Sequence, residues 1–164
     1  MRVLGIDPGL ALMGYGIVET QGSSQRLLDY GVVSTAAHSP TPSRLRTIYT
    51  AINQLMDIYS PDDVAFEELF FSKNVTTGMM VSAARGCALA AVASHTENIY
   101  EYTPMQIKQA ITGYGKADKR QIQNMVKLLL NMPEIAKPDD AADAIAVAIT
   151  HVNCLSAKEL YRIK

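Results

Sequence analysis

The chain has 164 residues, 48% of them apolar and 19% charged, the make-up of one globular domain with room for a sizeable core and not of a disordered or repetitive chain. Fifteen Lys and Arg against sixteen Asp and Glu leave a formal net charge of −1, so any nucleic-acid partner has to be met by a local basic patch rather than by the overall field. No apolar run is long and uncharged enough to span a bilayer, the best stretch, roughly 75–94, being broken by Arg85 and by Thr and Ser.

The first residues enter a strand-like run at once, without the layout of a secretory signal. Val3-Leu4-Gly5-Ile6 is short and apolar and stops at the turn signal Asp7-Pro8-Gly9. Gly14 to Glu19 and Leu27 to Ser34 are two further β-rich runs, separated by the polar turn Gln21-Gly22-Ser23-Ser24. The period then changes. Ser43 is read as an N-cap, and Leu45, Ile48, Ile52, Leu55 and Tyr59 follow at helical spacing until Ser60-Pro61-Asp62. Val64 to Glu67 is a short strand, a helix rich in small residues covers about 75–95, and Ile99 to Tyr102 is a fifth strand. Helices are expected over about 104–111, 118–131 and 139–152. Three strands joined by short turns, then strand–helix–strand, give an α/β layout with a mixed sheet in a single domain. Cys87 and Cys154 stand in no metal or redox spacing, so two reduced, half-buried thiols and a cytoplasmic location are expected.

Four acids carry the chemical argument. Asp7 ends the first strand, where a turn aspartate is also good local chemistry. Glu67 ends the fourth strand, where a solvated strand-end glutamate is the bland alternative. Asp140 and Asp143 lie three apart and so share one face of a helix that is otherwise apolar nearly all round. Asp139 or Asp140 can be a cap or a dipole-favoured acid in the first turn. Asp143 lies one turn further in, on a buried helix, and no Lys or Arg lies nearby in sequence to meet it. A divalent ion would. Phosphodiester hydrolysis needs a water deprotonated near neutral pH and charge stabilised on phosphoryl and leaving oxygens, which two such ions supply from a few carboxylates. The cations cluster between Lys108 and Lys127, where Lys108, Lys116, Lys119, Arg120 and Lys127 face the single acid Asp118.

Leu4 to Gly9 with Gly14-Tyr15-Gly16, then Ala65 to Asn74, Ala84-Arg85-Gly86 and Asp140-Ala141-Ala142-Asp143-Ala144 with Ala148 to His151 resemble, in order, the motifs of the RuvC family within the ribonuclease H-like nucleases. The resemblance covers nearly the whole chain. It implies one nuclease domain over 1–164, a five-stranded mixed sheet with three antiparallel strands then two parallel, flanked by helices, and a basic tail at Lys158 to Lys164 that is flexible if nothing holds it. It implies that Asp7, Glu67, Asp140 and Asp143 bind two Mg²⁺ per subunit, with Mn²⁺ as a substitute, and that Glu68 is not a primary ligand. It places the family's base-wedging aromatic at Phe70, beside Phe71, and its functional lysines at Lys108 and Lys119; Lys116 and Arg120, in the same basic stretch, are expected to join the DNA contacts. The implied substrate is a four-way DNA junction, nicked on two opposing strands to leave 5′-phosphate and 3′-hydroxyl ends. The implied partners are a second copy of the chain and the RuvA and RuvB branch-migration proteins. Gly78, Ser82, Gly86 and Ala90 form an i,i+4 ridge of small residues that suits a dimer interface or close packing on the chain's own sheet.

Three rivals share parts of this pattern. Actin-like and sugar-kinase-like phosphotransferases also open on Gly-Ile-Asp-x-Gly, but they need two such domains. A nuclease of RNA–DNA hybrids or single strands needs the same acids. A catalytically silent junction-binding protein does not need the intact quartet.

Overall fold

The computed structural model describes residues 1–69 and 75–164. Five strands form one sheet in the order β3-β2-β1-β4-β5. The strands are β1 (Arg2–Asp7), β2 (Leu12–Gln21), β3 (Ser24–Ser34), β4 (Asp63–Glu67) and β5 (Ile99–Tyr102). β1, β2 and β3 pair antiparallel, whereas β4 pairs parallel with both β1 and β5. This is the expected mixed sheet. β2 and β3 reach further into their shared turn than the β-rich runs predict, because backbone pairing continues through polar residues as far as Gln21 and Ser24.

Helices cover both faces. α1 (Thr41–Tyr59) and α2 (Val75–Ala93) pack on one, and α3 (Pro104–Thr112), α4 (Lys119–Leu129) and α5 (Asp139–Asn153) on the other. α1 begins two residues before the predicted cap at Ser43. Pro40 takes the cap position without a side-chain bond, and Pro42 sits in the first turn, where a missing N–H costs nothing. α3 and α4 open on capping boxes, Thr103 with Gln106 and Asp118 with Gln121, each satisfying two backbone donors.

The two-residue period of the strands sorts the core. Leu4, Ile6, Val64 and Phe66 point to α1 and α2, while Val3, Ala65, Tyr100 and Tyr102 point to α5. Asp7 and Glu67 fall on the second parity, the α5 face. α5 is buried along Ala141–Ala142 and throughout Ala144–His151. Its fully buried Ile145 and Ile149 contribute about 1.5–3 kcal/mol each. It lies directly on the sheet because glycines beneath it have no side chain. A Cβ at Gly5 would overlap the Ala144 carbonyl, and one at Gly14 would overlap the Asp140 carbonyl. Gly14 is the β2 partner of Asp7, so the same close approach sets the first turn of α5 over the end of β1.

The tail is docked. Residues Leu155–Tyr161 form 3₁₀ turns, Lys158 bonds Asp63, Arg162 contacts Tyr100, and the Ile163 amide donates to the Ile99 carbonyl. Cys87 and Cys154 are free and half-buried, as expected. Among the described residues no helix is long and apolar enough to cross a membrane.

Candidate metal-dependent nuclease site

β1 and β4 are parallel neighbours, so their C-terminal acids, Asp7 and Glu67, emerge side by side at one end of the sheet. α5 brings Asp140 and Asp143 to the same end from above. The four sequence-predicted acids therefore converge. Burial is the main reason that Asp7 holds its proton up to about 7, with Asp143 and then Asp140 adding repulsion. Burial likewise pushes Glu67 up to about 8, helped by the charges of Asp7 and Asp143. Asp143 is raised as well, again first by burial, although Lys119 pulls the other way. Among the described residues no hydrogen bond reaches the carboxylate of Asp7, Glu67 or Asp140.

Lys119 meets Asp143. Its Nζ donates to Asp143 Oδ2 at 2.9 Å and lies 3.3 Å from Asp139 Oδ2. Gln123 Nε2 donates to the other Asp139 oxygen at 3.0 Å. No Lys or Arg near Asp143 in sequence meets it, as read above, but one that is distant in sequence does. The partner lies 24 residues away on α4, beyond the reach of local spacing. Lys119 joins Lys108, Glu67 and Asp143 around a cleft of about 230 Å³. The Asp118 capping box starts α4 one residue before Lys119, and the Thr103 capping box starts α3 just after β5, so Lys119 sits on the first turn of one capped helix and Lys108 on the second turn of the other. Lys116 and Arg120 are exposed and do not line that cleft. Glu68 lies on the opposite parity of its strand end, in another cleft with Arg85 and Glu101, apart from the acids. Phe70 and Phe71 lie outside the described residues.

The acid cluster fits a divalent cation by its donor chemistry. It offers hard carboxylate oxygens, half-buried, mutually repelling and short of hydrogen-bond donors among the described residues, which is the environment that a small hard cation relieves. Among the described residues no three acidic, His or Cys side chains are drawn close enough to hold an ion as they stand. Asp143 is balanced instead by Lys119.

On α2, Ser82, Gly86 and Ala90 are exposed with Met79 and Ala83, whereas Gly78 is buried. Three of the four ridge residues thus form an open stripe, and a Cβ on Gly86 would meet nothing.

A family model described as crossover junction endodeoxyribonuclease RuvC matches residues 3–151. Proteins named crossover junction endodeoxyribonuclease RuvC from Alkaliphilus metalliredigens (strain QYMF) and Finegoldia magna are each 51% identical over 164 residues, covering 100% of both chains. Among solved structures, that of Thermus thermophilus RuvC in complex with Holliday junction substrate superposes with a TM-score of 0.90 at 35% identity, over 94% of each chain. The yeast mitochondrial Holliday junction resolvase Ydc2 shares the fold, with a TM-score of 0.65 at 14% identity over 98% of this chain and 82% of its own. The ribonuclease H-like sheet, the order of the motifs and the full-length relatives agree: the chain belongs to the RuvC family of crossover junction endodeoxyribonucleases.

Proposed function

We propose that the chain is a structure-specific endodeoxyribonuclease that resolves four-way DNA junctions in recombination and repair. It hydrolyses phosphodiesters on two opposing strands to leave 5′-phosphate and 3′-hydroxyl ends. The observation that carries this reading is the convergence of Asp7, Glu67, Asp140 and Asp143 at one end of α5, where burial and mutual repulsion hold protons on Asp7 and Glu67. These four side chains would hold two Mg²⁺, with Mn²⁺ as a substitute. When bound, such ions supply a water deprotonated near neutral pH and stabilise charge on the phosphoryl and leaving oxygens.

The chain's own groups do the rest. Lys108 and Lys119, on the wall of the cleft beside Glu67 and Asp143, receive the non-bridging oxygens of the phosphate. The apolar wall formed by Ile107, Ile122 and Ala146 limits bulk water around it. Lys116 and Arg120, exposed on the same basic segment, contact more distant phosphates. Phe70 wedges the exchange point open; replacing it by Ala reduces cleavage of an intact junction far more than of one loosened by mismatches.

A second copy of the chain presents its own site to the opposing strand. The exposed stripe of Met79, Ser82, Ala83, Gly86 and Ala90 supports an isologous interface on α2, because small residues let a partner helix approach closely. Branch-migration partners of the RuvA and RuvB kind and a cytoplasmic setting complete the proposal; the two free thiols fit a reducing compartment.

The test is a Mg²⁺ titration with parallel nicking assays on a synthetic four-way junction, a linear duplex and an RNA–DNA hybrid. Paired nicks confined to the junction are expected. Preferred cutting of the hybrid would transfer the reading to a hybrid nuclease. Tight junction binding without nicking would transfer it to a silent binding protein.

A further inference from the structure

On the far side of the acid cluster from the Lys108–Lys119 cleft lies a second groove, of about 510 Å³, lined by the Gly9–Leu12 turn, Met80, Val81, Asp140 and Arg44. Arg44 stands in the first turns of α1, a helix start with no acidic residue and no side-chain cap. Cations are disfavoured at that end of a helix dipole, so the position calls for an explanation. Its Nε donates to Thr35 Oγ1 at 2.8 Å, and the nearly buried Thr35 hydroxyl donates onward to the Leu10 carbonyl at 2.5 Å. One edge of the guanidinium is thereby pinned to the turn that follows Asp7. Among the described residues no hydrogen bond or carboxylate answers the two terminal nitrogens, which leaves four N–H donors unassigned.

We infer that Arg44 is a DNA-contact residue that receives, through its terminal nitrogens, a backbone phosphate of the cleaved strand next to the scissile one, on the side opposite Lys108 and Lys119. This rests on the junction-nuclease reading above and extends it. Asp143 lines the lysine cleft and Asp140 lines the Arg44 groove, so a strand whose phosphate lies at the acids is flanked by a cleft on one side and this groove on the other. The occupant is chosen by charge. A planar fork with free donors at a helix N-terminus matches a phosphate diester bidentately, and the apolar turn residues suit the sugar edge. The bland alternative is that Arg44 only ties α1 to the sheet through Thr35.

The experiment uses the full chain and synthetic four-way junctions in which single phosphates around the cleavage site are replaced by neutral methylphosphonates. Binding without metal and cleavage with Mg²⁺ are both read, for wild type, Arg44→Ala and Arg44→Lys. In wild type, neutralising one phosphate on the groove side should weaken binding about tenfold, the usual scale of a charge-assisted contact. Arg44→Ala should lose about the same on the natural junction, and the two changes together should cost no more than either alone. The loss should fall on KM and binding rather than kcat, and the slope of log affinity against log salt should flatten by about one. Arg44→Lys should recover part of the affinity. Additive losses in Arg44→Ala, or a wild-type scan in which no groove-side phosphate matters, overturn the proposal, and the wild-type scan decides even if Arg44→Ala fails to fold. Failure of the junction-nuclease reading itself would show separately, as absence of Mg²⁺-dependent nicking by wild type.

Discussion

At its C-terminal end α5 presents His151 to the buried Asp63, whose Oδ2 lies 2.8 Å from His151 Nε2 and 2.6 Å from Lys158 Nζ. At its N-terminal end it presents Asp140 and Asp143 to Asp7 and Glu67. The geometry of the two ends is matched. Asp63 and Glu67 lie four residues apart on one face of β4, about 13 Å. Asp143 and His151 lie eight apart on α5, about 12 Å. The chemistry is opposite. At the His151 end every group has a partner: Tyr102 bonds His151 Nδ1 at 2.9 Å, burial keeps the imidazole neutral and the Tyr102 phenol protonated, and Lys158 balances Asp63. At the acid end, among the described residues, Asp143 alone of the four acids is answered, by Lys119. Buried polar groups with complete partners specify a structure, whereas half-buried acids left without partners mark where a ligand's charge belongs.

Activity should be lost most readily by substitutions at the acid end. Asp7→Asn, Glu67→Gln, Asp140→Asn and Asp143→Asn should each abolish nicking in a synthetic-junction assay while leaving junction binding largely intact. Removing one preorganised electrostatic contact from an active site typically costs about 10²–10³-fold, and a metal ligand should cost at least that. Near wild-type nicking by Asp143→Asn would contradict the four-carboxylate site.

The His151 end should fail in the other currency, stability. Asp63→Asn or His151→Ala breaks a buried, partnered network and should cost on the order of 3–5 kcal/mol in denaturant unfolding. The protein that remains folded should keep its Mg²⁺ dependence. An Asp63→Asn variant of unchanged stability but no activity would reverse the roles assigned to the two ends.

Next comes pH. Asp7 and Glu67 bind protons more tightly in the native protein, to about 7 and about 8, than their ordinary values of 3.8 and 4.5. The native state therefore holds more protons than the unfolded chain between about pH 4 and 8, and metal-free stability should fall as pH rises through that window. Each kcal/mol lost lowers Tm by about 2–4 °C in a domain of this size. Asp7→Asn should flatten the profile, and added Mg²⁺ should raise Tm more at pH 8 than at pH 6. A metal-free Tm that climbs steadily from pH 5 to 8 would contradict the burial of unpartnered acids.

The smallest effect is expected at Lys119 and Lys108. Alanine at either should weaken junction binding or cleavage and flatten its salt dependence, with little change in Tm because the Lys119–Asp143 pair is partly exposed.

The five strands, the helices and the mixed character of the sheet were legible in the sequence because each rests on a local pattern, whereas the order of the strands across the sheet was not. Strand alternation assigns Asp7 and Glu67 to one face, and i,i+3 spacing on an apolar helix singles out Asp140 and Asp143. What was not legible is long-range pairing. Lys119 meets Asp143 across 24 residues, His151 meets Asp63 across 88, and Arg44 reaches the β1–β2 turn through Thr35. The start of α1 was missed because Ser43 resembles a cap, whereas the proline at 42 fits the first turn of a helix that has already begun. Exposure along α2 was half legible: the small-residue ridge is there, but its periodicity does not tell that Gly78 turns inward while Gly86 faces out.

The most direct test of the account is calorimetric Mg²⁺ binding to the DNA-free protein at pH 6 and pH 8, in wild type, Asp143→Asn and Asp63→Asn. Wild-type affinity should rise from pH 6 to pH 8 as protons leave Asp7 and Glu67. Asp143→Asn should lose binding at both pH values, and folded Asp63→Asn should bind as wild type does. Equal loss in both variants, or binding that ignores pH and survives Asp143→Asn, would contradict the account.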